Sequence, residues 1–353
     1  MLSDRTIYSL HRISGLIGGL FILILTITGS ILVVDAQVDA LLNPPQTPTG
    51  ATGPRQSYDQ LVAALHRQYP TATFRSLRLP ETDTPQPVRV DLMVDRVRQR
   101  IDVNPYTGAV MSVRNVDDAL VRQVRELHEN LLLEPVGGYV MGLAGICLLA
   151  SVLTGTWYYR RSLLSVFKIG VRWKKPRRIV YADLHKWLGV VALLFMLLMS
   201  ATGVFFHWEQ IERSFGDGER RKRPKAPESQ PAAFGVDAAL SKSEATFAGF
   251  TPQVIQFPSP GDTVLVVRGN FPNSLRILGK YNVEASVDVR TGQLVGSFDA
   301  RDAGLEYKAE HIFEELHFGH YGGWISQIIY ILLALATALV TVTGLVIWWL
   351  KRT

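Results

Sequence analysis

Four long apolar runs divide the chain: about Ile13 to Val34, Tyr139 to Tyr158, Leu188 to Phe206 and Trp324 to Leu350. Each is long enough to cross the roughly 30 Å hydrocarbon core of a bilayer, and none carries Asp, Glu, Lys or Arg in its middle. A buried helix of a large soluble protein is the other reading of any single run. Four runs with charged flanks make membrane spans the reading for the set. The long polar segments between runs one and two and between runs three and four are patterned differently. Tyr58 to His66 spaces its apolar residues for a helix, whereas Val88 to Val94 alternates with a period of two, as a half-buried strand does.

The pattern occurs twice. Leu10-His11-Arg12 returns as Leu184-His185-Lys186, and Thr28-Gly29 near the end of run one returns as Thr202-Gly203 in run three. Thr154-Gly155 with Trp157 in run two is matched by Thr343-Gly344 with Trp348 in run four, and Glu126-Leu127-His128 by Glu315-Leu316-His317. The polar segments repeat as well. Ile101-Asp102-Val103-Asn104-Pro105-Tyr106-Thr107-Gly108 parallels Val287-Asp288-Val289-Arg290-Thr291-Gly292, each reading as strand, glycine turn and strand.

The expected fold is therefore a mainly α membrane protein, a four-transmembrane-helix bundle from a tandem parallel repeat, with two small α+β domains outside the membrane. Helix one falls in residues 1–36, the first outer domain in 37–136 and helix two in 137–160. A basic loop occupies 161–182, helix three 183–208, the second outer domain 209–321, and helix four with its end 322–353. Residues 218–231, rich in Arg, Lys and Pro, read as a solvated linker.

Charge refines this picture through its position. The net charge of +6 suggests an anionic partner, but Arg5, Arg12, the cluster from Arg160 to Arg178, Lys351 and Arg352 all flank apolar runs, so no nucleic acid is expected. By the rule that short basic loops stay inside, both termini and the 161–182 loop are cytoplasmic and the two outer domains are translocated, into the periplasm of a bacterium. A cleavable signal ending at Val34-Asp35-Ala36 is the competing reading of the first run, and the internal copy at run three argues against it. The single cysteine, Cys147, excludes an intramolecular disulfide and any cysteine-based metal or redox centre.

Histidine is left as the chemistry. His11 and His185 hold equivalent positions at one end of runs one and three; His128 and His317 hold equivalent positions just before runs two and four. Two pairs at opposite membrane faces suit a bundle holding two haems, each iron between two neutral imidazoles. Gly15, Gly18, Gly19 and Gly189 would let a flat macrocycle approach the backbone. His207 lies 22 residues after His185, which on a straight helix is roughly 33 Å along the axis and within about 40° of one face. It lacks a repeat counterpart, since Val33 occupies that place, and it competes for the outer site with His311 and His320. His66 reads as surface. The bland reading of each is an interfacial histidine, and of each glycine a helix-packing contact.

With these residues in view, the chain resembles the PepSY-associated transmembrane-helix family of iron-regulated membrane proteins, particularly its dihaem ferric-siderophore reductases of the FoxB type. The resemblance covers nearly the whole chain. It rests on Leu10-His11-Arg12, Leu184-His185-Lys186-Trp187, the paired Thr-Gly motifs, His128-Glu129-Asn130, His317-Phe318-Gly319-His320, and the turns at Thr107-Gly108 and Thr291-Gly292. It implies PepSY-like periplasmic domains, a bacterial inner-membrane location, two haem b groups and reduction of Fe(III)-siderophore to release Fe(II). It also implies His11, His185, His128 and His317 as iron ligands, with His207 a lesser candidate.

Two other functions fit the same sequence. One is a haem-free protein whose outer domains bind peptides or restrain a protease. The other is a cytochrome b subunit passing quinol electrons to a separate soluble enzyme. No G-x-G-x-x-G follows a strand and there is no P-loop, so the electron donor is expected to be quinol or another protein.

Overall fold

The computed structural model describes residues 3–44, 46–48, 53–80, 85–215 and 235–352, with backbone alone for 209–215. The expected linker at 218–231 lies outside the described residues. The first half of the chain runs α1 (Asp4–Leu32), α2 (Asp35–Leu42), α3 (Tyr58–Gln68), β1 (Thr73–Arg78), β2 (Val88–Val94), β3 (Val97–Val103), β4 (Val110–Asn115), α4 (Leu120–Asn130) and α5 (Val136–Tyr159). After a short α6 (Ser165–Ile169), the second half runs α7 (Arg177–Val191), α8 (Leu193–Phe215), α9 (Val236–Thr246), β5 (Thr251–Gln256), β6 (Val264–Asn270), β7 (Val283–Asp288), β8 (Leu294–Asp299), α10 (Leu305–Phe318) and α11 (Gly323–Trp349).

These elements form two compact units. One comprises Met1–Val38, Gln123–Gly218 and Phe313–Thr353, the other Asp39–Arg122 and Glu219–Ile312. In the helical unit α1, α5 and α11 are each long and apolar enough to cross a membrane, and α7 with α8 make a fourth span only as a pair bent by 67°. The protein is thus a multi-pass membrane protein of three or four spans.

The bend corrects one expectation. A straight third helix was needed to put His185 and His207 on one face roughly 33 Å apart, and the chain breaks between them at Ala192. Gly189, Val190 and Val191 all favour helix weakly, and no proline marks the place. Small residues decide how the helices meet. A Cβ on Gly18 of α1 would lie 2.7 Å from the Cys147 Cβ of α5, and one on Gly19 would lie 3.4 Å from Leu345 of α11. Both glycines serve helix packing rather than leaving a slot, whereas Gly15 and Gly189 border open space.

In the other unit the expectation of two separate α+β domains is corrected. The strands make one antiparallel sheet in the order β4-β3-β2-β1-β5-β6-β7-β8. The halves join where β1 pairs with β5, Leu77 opposite Ile255. Alternation sends Val90, Ile101, Val267 and Val283 to one face, where Leu61 and Leu65 of α3 and Ala239 and Leu240 of α9 close a single core across both halves. On the other face of the first half, Asp91 binds Arg98 and Arg100 while Asp102 binds Arg89.

Helix starts are also shared. Asp237 accepts hydrogen bonds from the amides of Tyr58 and Asp59 at the start of α3, at 3.1 and 2.8 Å. Asp59 accepts from the amides of Val236 and Asp237 at the start of α9. Each carboxylate thereby satisfies orphan amides of the other half's helix.

The repeated turns are built alike, with a shift in register. The Asn104 side chain accepts from the amides of Tyr106 and Thr107, and Asp288 accepts from those of Arg290 and Thr291. Asp288 is therefore the structural counterpart of Asn104, not of Asp102. Gly108 and Gly292 close the turns at φ of +73° and +66°, a region that favours glycine.

The amide of Arg290, with the Thr263 hydroxyl, pushes the Asp288 carboxyl down to about 2 against its burial. Burial raises the Asp91 carboxyl, but Arg100 and then Arg98 outweigh it and leave its pKa lowered. Both carboxyls are depressed in the fold, so their stabilisation is complete above the ordinary carboxylate range and is lost as pH falls through their folded values. Asp288→Asn, which copies Asn104 but carries no charge, is expected to lower the melting temperature at pH 7 and to reduce its fall between about pH 4 and 2. Asp288→Ala, which also removes the acceptor, should lower it further at pH 7, and circular dichroism melts of the full chain read both.

Candidate functional site

In the helical unit each repeated Thr-Gly pair lies against a histidine of another helix. An added Cβ would come within 3.0 Å of the His11 ring at Gly155, 3.1 Å of His185 at Gly344, 3.3 Å of His128 at Gly29 and 3.8 Å of His317 at Gly203. The glycines make flat seats for imidazoles, and the neighbouring residues tie down one ring nitrogen. His11 Nδ1 lies 2.9 Å from the Ser151 carbonyl, and His185 Nδ1 lies 2.9 Å from the Val340 carbonyl. His128 Nδ1 is 2.8 Å from the Thr28 hydroxyl, and His317 Nδ1 is 2.7 Å from that of Thr202.

These partners fix the tautomer. A carbonyl only accepts, so Nδ1 of His11 and of His185 carries the proton and donates it. A threonine hydroxyl has one proton, and Thr28 gives its own to the Ile24 carbonyl, as Thr202 does to that of Leu198. Toward the imidazole each hydroxyl must therefore accept. All four rings thus keep their lone pair at Nε2, the state in which a histidine ligates a metal while its other nitrogen is held by the protein.

The first pair comes together from the two halves of the chain. The rings of His11 and His185 have centroids 6.1 Å apart at an interplanar angle of 73°. Two metal–imidazole bonds of about 2 Å each, with half the width of both rings, separate centroids by roughly 6 Å. A cavity of about 1150 Å³ borders both rings, reaching Gly15 and Gly189. That volume exceeds what most drug-sized ligands need, about 300–1,000 Å³.

The second set contains three histidines. His317 and His207 stand near enough to His128 for their charge to act on it, and the His207 Cβ lies against Gly142 of α5. Burial first, then the charges of His317, His207 and Arg125, push the His128 imidazole down to about 3. Burial and then His207 hold His317 at about 4. Both rings are therefore neutral across the physiological range. The ring of Phe206 stands edge-on to His317 at 5.3 Å.

The remaining candidates serve other contacts. His320 Nε2 lies 3.2 Å from the Val33 carbonyl, and His311, in the sheet unit, stacks on Tyr307 with centroids 3.8 Å apart. His66 is exposed at the end of α3.

The donor chemistry narrows what these sets can hold. Among the described residues no three His, Cys, Asp or Glu side chains converge on one point. Two imidazoles alone make neither a closed tetrahedral zinc site nor an oxygen-rich calcium site. They suffice for a metal whose other ligands arrive with it, as the ring nitrogens of a tetrapyrrole do. The residues present fit such a group.

Ser151 is a site residue that nothing in the sequence pattern marks, whereas the Thr-Gly glycines stand in the sequence as repeat markers. For these glycines the signal was present, since a glycine that recurs next to a threonine at equivalent positions of both repeats is a seat as well as a tag. Thr28→Val and Thr202→Val each remove one hydrogen bond to an imidazole at nearly constant shape and are expected to cost about 1 kcal/mol. Thr26→Val is the control, because its hydroxyl bonds only within α1. Thermal denaturation in detergent checks the difference.

The family model described as PepSY-associated TM region matches residues 8–351. No curated protein matches the chain.

Proposed function

The chain belongs to the PepSY-associated transmembrane family, and on that premise we propose that it is a b-type haem reductase of the bacterial inner membrane acting on Fe(III)-siderophore. The observation that carries this reading is the His11–His185 pair, two imidazoles from different halves of the chain with centroids 6.1 Å apart beside a cavity. His11 and His185 would hold one haem, and His128 with His317 the other, with His207 beside them. Bound haem supplies reversible one-electron chemistry at its iron.

The chain's own residues supply position and surroundings. The carbonyls of Ser151 and Val340 and the hydroxyls of Thr28 and Thr202 stop the four rings from turning and raise the basicity of Nε2. Ile22, Leu148 and Met196 make part of the cavity wall beside His11 and His185 apolar. Electrons enter from quinol or a partner protein. The basic 161–182 loop and chain ends stay in the cytoplasm, and the sheet unit lies in the periplasm, where the substrate is met.

The substrate step is simple in balance: one electron converts the chelated Fe(III) to Fe(II), with no bond of the chelator broken. Fe(III) is the harder and more highly charged ion, so an oxygen-rich chelator loses affinity once it is reduced, and the metal leaves.

Purified protein is expected to give reduced-minus-oxidised α and Soret bands and two haems per chain in a pyridine haemochrome assay. His11→Ala or His185→Ala should each remove about half of that haem. Chemically reduced protein should then be reoxidised by Fe(III)-siderophore with release of Fe(II). Colourless protein from haem-replete cells would leave the haem-free binding protein, and haem without reaction toward ferric chelates would leave the quinol-linked cytochrome subunit.

A further inference from the structure

The cavity beside His11 and His185 is chemically lopsided. Arg12, Arg172, Arg178, Lys186, Lys351 and Arg352 line it, and among the described residues no carboxylate does. All six come from one end of the helices: the first turns of α1, the loop before α7, α7 itself, and the residues just past α11. Further along, the wall turns apolar at Ile22 of α1, Leu148 of α5, and Leu193 and Met196 of α8.

Some of these cations are already engaged. The buried Asp183 binds the Arg172 guanidinium through both oxygens, at 2.8 and 2.9 Å, and lies 3.4 Å from Lys186. One carboxylate shared between two cations fixes both and leaves an excess of positive charge. The Lys351 ammonium donates to the Tyr8 hydroxyl, and Arg352 covers the Trp348 ring at 4.2 Å. Arg12 and Arg178 have no acidic partner among the described residues.

Like charges gathered at the mouth of an apolar cavity repel one another unless an anion joins them. We propose that this end of the cavity is a carboxylate site, in which Arg12 and Arg178 recognise the acidic edge of an amphipathic tetrapyrrole whose apolar edge lies toward Leu148 and Met196. The inference rests on the haem reading above and adds to it a specificity: the site selects the free diacid over a neutral ester of the same ring. Arginine suits the task, since its fork of donors matches a carboxylate in two bonds.

The test uses zinc protoporphyrin and its dimethyl ester, added to the full chain purified from haem-deficient cells, with fluorescence reading affinity. The diacid is expected to bind at least about tenfold more tightly than the ester, and added salt should narrow the gap. The double variant Arg12→Gln, Arg178→Gln should bring diacid affinity down to that of the ester and leave ester affinity unchanged. That unchanged affinity also reports an intact cavity, and Arg12→Lys should restore part of the difference. Equal binding of diacid and ester, with no effect of the double variant, overturns this inference while the haem reading stands. Failure of both ligands to bind overturns the two together.

Discussion

A histidine that offers one nitrogen outward must spend the other inward, and the helical unit is arranged around that constraint. Each of the four paired imidazoles gives its Nδ1 proton to an oxygen of another helix, two to carbonyls and two to hydroxyls whose own protons are committed elsewhere. The hydrogen bond alone would leave the ring free to tilt. The glycine next to the threonine removes the side chain that would push the ring away, so polar contact and flat seat act as one device. A four-helix array with apolar contacts alone would leave these rings many orientations of similar energy. Four tethers reduce that to one.

The repeat makes the arrangement twofold, yet the halves are not self-contained. His11 is seated by α5 of its own half and His128 by α1, but His11 and His185 bring together one ring from each half. The sheet unit follows the same rule, with β1 and β5 closing one sheet over one core. The two copies also differ: His207 stands where the first half has Val33, and the third apolar run is a bent pair of helices where the first is a single helix.

Much of this was legible in the sequence for a physical reason. Apolar runs and alternating strands advertise their surroundings directly, and duplicated short motifs locate equivalent depths without any knowledge of the fold. Thus the duplicated motif alone sets His11 and His185 at equivalent positions, and their rings lie 6.1 Å apart. What stayed hidden depends on packing between distant segments. The break at Ala192 has no proline to announce it. The joining of β1 to β5 depends on two edges that look alike in sequence. Gly18 and Gly19 carry the same letters whether they leave a slot or accept Cys147 and Leu345, and only the partner helix decides. The match of Asp288 with Asn104 needed the turn amides, because the letters align Asp288 as readily with Asp102.

The exchanged carboxylates of Asp59 and Asp237 bear on how such a chain can change over generations. Each half has placed the anchor of its own sheet-packed helix, α3 or α9, in the other's keeping. A substitution at either aspartate is felt a whole copy away, so the duplicated halves cannot drift as independent modules, and a chimaera taking one half from a distant relative inherits a lock cut for a different key.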